Sequence, residues 1–245
     1  MIAKDEEDRI DRCLASVPWA RERHVLLDAG TTDATARVAR RVGAHVTREP
    51  WRGHVSQKNR ALALATQPWI LSLDADEWLD DVASDALRAA LTNPGATQGF
   101  RFSRASRWLG HPLRHGHWYP DRKLRVVRQG VGRWVGDDPH DRLVVDGPTR
   151  LLPGDIGHVP YRHIWEHLAT IDRYTATAAR SLHERGVRSA WFSPALHASL
   201  HFVDAVTRKR ALFDGWPGLA VASLGAVYAG LKWQRLRELQ RPRHG

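Results

Sequence analysis

Two short apolar runs in the first third of the chain each stop at an aspartate, and a helix-forming stretch follows each. His24-Val25-Leu26-Leu27 ends at Asp28, and Trp69-Ile70-Leu71-Ser72-Leu73 ends at Asp74. Runs this short and this apolar read as buried strands. Around them the pattern is helical. Ile10, Leu14 and Val17 recur at helical spacing, and Thr31 or Thr32 can cap a helix running to about Val42, with Val38 and Val42 inward. Ala44 to Thr47 is a further strand, and Val55 to Ala65 and Val82 to Leu91 are helices. Strands alternating with helices predict an α/β fold with a mostly parallel sheet flanked by helices. Ligands of such sheets bind beyond the carboxyl ends of strands, where Asp28 and Asp74 stand. Only Met1-Ile2-Ala3 precede the first helix, where such a sheet calls for a full strand. The expectation is a clipped first strand or a start that lies upstream.

Beyond Gly99 the pattern changes. Phe100 to Phe102, Lys123 to Val127 and Leu143 to Val145 read as strands around a polar, aromatic, His-rich stretch. Leu168, Ile171, Tyr174, Ala178 and Leu182 then mark an amphipathic helix that stops at Gly186. Charge divides the chain in the same place. Residues 1–158 carry 24 bases and 21 acids, whereas residues 159–245 carry 13 and 6, most of the net charge of +10. The predicted organisation is a domain over 1–158 and a basic helical region over 159–245.

That second region holds an uncharged segment of 17 residues, Gly215 to Leu231. A spanning helix needs about 20 apolar residues. Arg208-Lys209-Arg210 and Lys232, Arg235 and Arg237 flank the segment, with Trp216 and Trp233 at its ends. A shallow membrane-associated helix or hairpin is the preferred reading, against a buried core helix. A composition of 42% hydrophobic and 26% charged residues excludes a disordered chain. Cys13 is alone, so there is no internal disulfide and no cysteine zinc site. Charges from Lys4 to Asp8 with no apolar stretch behind them do not form a secretory signal.

Several motifs could carry chemistry. Asp74-Ala75-Asp76 at a strand end can hold a divalent cation and a ribose, and its bland alternative is a solvated acidic turn. Asp28-Ala29-Gly30-Thr31-Thr32-Asp33 could aim helix N-terminal amides at a phosphate or base, or be an ordinary turn. His158 closes the stretch Gly154-Asp155-Ile156-Gly157 and suits a borderline cation or a satisfied loop. His140-Asp141 offers a carboxylate for general-base work, or a surface turn. His163-Ile164-Trp165-Glu166-His167 matches an inverted zinc-protease pattern, but also reads as part of an amphipathic helix that needs no metal. A phosphate loop is absent, and Gly130 to Gly136 misses the dinucleotide fingerprint by one residue.

Taken together, these pieces resemble family 2 glycosyltransferases of the GT-A fold, closest to the bacterial lipopolysaccharide core subgroup. The matching pieces are Lys4-Asp5-Glu6-Glu7, Leu27 to Asp33, Gln57-Lys58-Asn59, Leu73-Asp74-Ala75-Asp76-Glu77, His117-Trp118-Tyr119-Pro120-Asp121, His140-Asp141, His158 and Phe213 to Gly218. The resemblance implies that Asp28 binds the nucleotide base, Lys58 lies near the nucleotide or its phosphates, and Asp74 faces the ribose. It implies that Asp76 and His158 hold Mg²⁺ or Mn²⁺, that Asp141 is the catalytic base, and that Trp118, Tyr119 and Asp121 shape the sugar and acceptor site. Asp5 stands where the family usually has Asn, and Asp141 where it has Glu.

The implied activity is inverting transfer from a nucleotide-sugar donor, a UDP-sugar first, to a glycan or glycolipid acceptor in lipopolysaccharide core or cell-envelope synthesis. The expected place is cytoplasmic, peripheral on the anionic inner face of the cytoplasmic membrane, with no nucleic-acid partner. The rival is a basic module that binds nucleic acid or anionic membrane without catalysis. It accounts for the charge, but leaves Asp28, Asp74 and Asp76 unexplained.

Overall fold

The computed structural model describes residues 1–136 and 141–241, which gather into two compact units. The first joins Met1–Arg104 to Asp121–His158, and the second joins Ala105–Pro120 to the chain from Val159 onward.

The first unit begins with β1 (Ile2–Ala3), α1 (Ile10–Ala15), β2 (His24–Asp28), α2 (Thr35–Arg41) and β3 (His45–Glu49). β1, β2 and β3 form a parallel sheet in that order, with Ile2 opposite Leu26 and Leu27 opposite Arg48. Ile10 and Leu14 of α1 and Ala36 and Ala39 of α2 pack on Val25 and Leu27 of β2. The alternation of apolar strand and amphipathic helix thus closes as βαβ units, as its periodicity requires. The threonine cap expected for α2 is not formed. Instead Asp33 accepts bonds from the backbone and hydroxyl of Thr35, the first helical residue.

Then follow α3 (His54–Ala63), β4 (Trp69–Leu71), β5 (Glu77–Leu79), α4 (Asp81–Thr92), β6 (Gly99–Trp108), β7 (His111–Pro112), β8 (Asp121–Arg128), β9 (Gly132–Val135), β10 (Arg142–Val145) and β11 (Thr149–His158). A larger sheet runs β4-β8-β6-β11-β5, with β7 beside β6, and β9 and β10 pair separately. The α/β class stands, with parallel pairing in β1–β3. β4 with β8, β6 with β8, and β5 with β11 are antiparallel. β1 spans two residues and forms one edge of the parallel sheet, and β4 forms one edge of the larger sheet. Beside it lies an apolar groove of about 460 Å³, lined by Met1, Cys13, Trp19, Trp69, Leu73 and Val126 among others. Phe100, Phe102, Leu152 and Ile156 form the main core with Ala83, Leu87 and Ala90 of α4. Asp80 caps α4, accepting the Ala83 N–H at 2.7 Å and the Asp155 N–H at 3.0 Å, which ties the helix to β11.

The second unit consists of the β7 hairpin, a short 3₁₀ turn at Gly116–Trp118, and α5 (Ile164–Glu184), α6 (Ser193–Val206) and α7 (Gly215–Leu239). Gly215 to Leu231, expected as a shallow helix or hairpin, belongs to one continuous helix of 25 residues. It buries Gly218, Ala222, Ala229 and Leu236 and packs on α5 and α6. Among the described residues no helix is long and apolar enough to cross a membrane. Asp214 ties the turn before α7 to the hairpin, accepting the N–H groups of Arg114 and His115 at 3.0 and 2.8 Å.

Candidate active site

The acidic turn after β4 is built by its neighbours. The Ser72 N–H still bonds Arg125 O at 2.7 Å on β8, and then the chain leaves the ladder. The Asp74 N–H donates to Glu77 Oε2 at 3.2 Å and the Glu77 N–H returns to Asp74 O at 3.0 Å, closing the turn that sends β5 back. Ala75 sits in the apolar cluster of Ala3, Val25 and Leu27, which sets the turn against the strands of the parallel sheet.

Glu77 is 0% exposed, and a bare carboxylate so deep would be very costly. Arg125 meets it with two bonds, Nε to Oε2 at 2.9 Å and Nη2 to Oε1 at 2.7 Å, and reaches Asp74 Oδ2 at 3.1 Å. Arg104 adds a contact to Glu77 at 3.2 Å and holds Asp121 at 2.7 Å, where Lys123 also binds at 3.1 Å. From α3, Lys58 bridges Asp74 Oδ1 at 2.9 Å and Asp141 Oδ2 at 2.8 Å. The latter is a close ion pair whose angles fall outside hydrogen-bond geometry. The Trp134 ring lies 4.2 Å from the Lys58 ammonium, a cation–π contact. Asn59 fixes that ring's strand, donating to Trp134 O at 2.9 Å and accepting its N–H at 2.8 Å.

Four carboxylates and four cations thus interlock, which ranks the site electrostatically. Burial disfavours the charge of Asp74, but Lys58 and Arg125 outweigh it and hold its carboxyl well below the usual range. Burial also opposes the Lys58 charge, and Asp74 and Asp141 more than restore it. Asp121 is lowered likewise, with Arg104 and Lys123 overcoming its desolvation. Asp74 keeps 30% of its side-chain surface open, so the network is not sealed.

The turn also presents Asp76. The antiparallel pairing of β5 with β11 puts His158 opposite Glu77, and His158 Nε2 lies 3.5 Å from Asp76 Oδ2. Gly157 makes this register possible. A Cβ there would stand 2.1 Å from the Trp78 ring, so only a glycine lets β11 approach. One carboxylate oxygen and one imidazole nitrogen, side by side, fit Mg²⁺ or Mn²⁺ with its other positions left to phosphate oxygens and water. Among the described residues no three His, Cys, Asp or Glu side chains converge as a metal cage.

Asp28 ends β2. Its Oδ1 accepts the Gly30 N–H at 2.7 Å, and Oδ2 faces Lys4 Nζ at 3.8 Å. Asp5, in the unusual left-handed region at φ 53°, accepts the Thr32 N–H at 2.9 Å. Glu7 likewise accepts the Ala34 N–H at 2.7 Å, and Asp33 accepts the Glu7 N–H at 3.1 Å, so the two loops are held as one cradle. Trp118 and Tyr119 belong to the second unit. Trp118 lines a cavity of about 230 Å³ there with Tyr161, His167, Tyr174 and Tyr228, and Arg114 lies over Tyr119. His140 lies outside the described residues.

The zinc-protease pattern dissolves in the structure. His163 caps α5 by accepting the Glu166 N–H at 3.2 Å, and His167 Nδ1 accepts the Trp108 indole N–H at 3.1 Å. Burial pulls His167 down to about 4, so it is a neutral core residue. Sequence reasoning missed Arg125, Arg104 and Trp134. Arg125 had a signal, since a lone arginine between Leu124 and Val126-Val127 inside an apolar strand demands a buried counter-charge.

Residues 1–140 match Glycosyl transferase family 2. A lipopolysaccharide core biosynthesis glycosyltransferase, LpsC, of Rhizobium meliloti is 28% identical over 94% of this chain and 88% of its own. An uncharacterized glycosyltransferase of Rickettsia felis is 38% identical over 97% of this chain and 88% of its own. Among solved structures, the mannosyltransferase PcManGT from Pyrobaculum calidifontis, in complex with GDP-Man and Mn²⁺, aligns over 98% of this chain and 85% of its own, with a TM-score of 0.49 and 17% identity.

Proposed function

The chain belongs to glycosyl transferase family 2, and from that premise we propose that it transfers a sugar with inversion from a nucleotide-diphosphate donor, a UDP-sugar first, to a saccharide or lipid-linked acceptor. The name of the Rhizobium relative supports lipopolysaccharide core or other cell-envelope glycan as the product. The observation that carries the reading is the Lys58 ammonium, shared between Asp74 at 2.9 Å and Asp141 at 2.8 Å. It joins the residue proposed for the ribose to the residue proposed as base.

Asp28 and Asp74 bind the base and ribose of the donor, and Trp118, Tyr119 and Asp121 serve the sugar or acceptor. Lys58 is the mobile charge of the site. An incoming diphosphate competes for it and releases Asp141 from its ion pair. Asp141 then takes the proton of the acceptor hydroxyl, whose oxygen bonds the anomeric carbon. The bond to the diphosphate breaks, and its electron pair leaves with the nucleotide. Asp76 and His158 would hold a divalent cation, which would supply positive charge beside the diphosphate. Asp141 is one methylene shorter than the usual glutamate, and its placement beside Lys58 keeps it near the donor. The basic second region supports a peripheral place on the anionic inner face of the cytoplasmic membrane.

A thermal-shift panel of UDP-, GDP- and CMP-sugars with and without Mn²⁺ tests this. One donor is expected to raise Tm in a Mn²⁺-dependent way, and Asp76→Ala removes that dependence. Asp141→Asn keeps the shift, while turnover falls by about 100-fold or more. No shift with any donor, or full turnover in Asp141→Asn, overturns the assignment.

A further inference from the structure

A surface helix normally turns charged residues to water. α6 does not. Its 14 residues, SPALHASLHFVDAV, carry one charge, Asp204. Phe192, Leu196, Leu200 and Val203 fall on one side of it at spacings of four, four and three, and are 48%, 44%, 56% and 54% exposed. Ala195 and Ser199 complete that outward arc and are exposed too. The opposite side is already used. Ala205 is buried, His201 lines the cavity of this unit, and α7 packs along it. The helix is therefore apolar on both faces, and none of the described residues of the second unit covers the outer one. Exposed Trp191 precedes this face, and exposed Leu212 and Phe213 follow it.

Charge says what covers it. Exposed Arg185 and Arg188 lie just before α6, and Arg208, Lys209 and Arg210 just after, so both ends of the apolar stripe are basic. Arg208 pairs with Asp204, the only acid on the helix, which removes the one group that would repel an anion there. A protein partner for such a face has no need of bases at both ends. An anionic bilayer takes the apolar side chains between its headgroups and the bases against its phosphates.

We propose that the outer face of α6, with the bases at its two ends, is the surface by which this protein docks on anionic lipid. The inference deepens the membrane reading above and rests on it. It moves the contact from the uncharged segment 215–231, one side of which packs on α5 and α6, to α6, whose own uncharged stretch runs from 189 to 203.

Flotation with vesicles of phosphatidylcholine alone, or with a quarter phosphatidylglycerol, tests the proposal on the full chain. The protein is expected to bind the anionic vesicles and release them as salt rises. The double variant Leu196→Glu, Leu200→Glu is expected to lose affinity by about 100-fold, since each side chain buried in lipid is worth at least tenfold. Arg188→Glu and Arg210→Glu are each expected to cost about fivefold or more on anionic vesicles only. Val227→Glu, on the exposed side of α7, is expected to leave binding unchanged, and circular dichroism checks that every variant stays folded. Wild-type protein that ignores both vesicle types overturns the membrane reading and the docking face together. Binding that survives in the α6 double variant, or is lost in Val227→Glu, overturns the α6 assignment and leaves the membrane reading standing. A dimer in light scattering that the α6 double variant dissociates, without vesicle binding, makes the face a contact between copies and overturns the proposal.

Discussion

Each carboxylate of the candidate site is defined by the cation that answers it. Glu77 has no exposure, and Arg125 grips both its oxygens while Arg104 touches one. Asp74 and Asp141 share Lys58, so neither can be removed without redistributing the other. Breaking such a network is costlier than replacing it, because a buried charge left alone keeps its full desolvation penalty. Arg125→Met is therefore expected to destabilise the protein by about 3–5 kcal/mol in urea unfolding. Adding Glu77→Leu to that variant is expected to restore part of the loss, and a double variant less stable than the single one would refute this account. Asp74, Asp76, Asp141 and Lys58 were legible one by one as types of chemistry in the sequence. That Lys58 answers two of them was not, because the three lie 16 to 83 positions apart and only the fold brings the Lys58 ammonium within 3 Å of both acids.

The elements that the sequence marked best carry an apolar run or a helical stripe. β2, α3, α4 and α5 fall within a few residues of their expected places, because a fully apolar run records a strand buried on both faces and a helical stripe records which face is turned inward. β11 carries no strand pattern in the sequence, where its end shows only as a glycine-bounded stretch before His158. It is a strand, and its glycines serve packing. Gly154, at φ 83°, lies against the backbone of Ala83, and Gly157 lies under Trp78. The consequence reaches the proposed cation ligands. Gly157→Ala must push Trp78 or β11 aside, with an expected loss of about 1–3 kcal/mol in stability. It also displaces His158 from Asp76, so Mn²⁺ affinity falls more than in an Ala substitution at the exposed residue Leu151. Equal Mn²⁺ affinities in the two variants would show that the register does not matter. α6 was missed for the opposite reason. A helix apolar on both sides has no stripe to read.

For the molecule as a whole, charge and acid response follow from the two units. In the first, Asp74 is held below the ordinary carboxylate range, so its ion pairs stabilise the fold above about pH 4 and lose that contribution as pH falls further. In the second, burial holds His167 at about 4 against an ordinary value near 6.5. The unfolded chain therefore takes up this proton first. Stability is complete above pH 6.5 and declines toward pH 4, by about 2 kcal/mol at pH 5 from this one residue. Scanning calorimetry between pH 7 and 5 is expected to show a falling Tm that His167→Gln flattens. An equal slope in that variant would put the titration elsewhere.

The sequence by itself determined the α/β class, the acidic strand ends, the family and the contrast between a nearly neutral first region and a basic second one. Those properties are carried by local runs, by fixed motifs and by composition, and a chain displays them before it folds. Tertiary structure decided the rest. It paired β4, β6 and β8 antiparallel, made Arg125 the counter-ion of Glu77, set His158 beside Asp76, and packed one side of segment 215–231 while leaving the outer face of α6 bare. The physical reason is range. Burial and ion pairing depend on which distant residues share one volume, and that is fixed only when strands choose their partners.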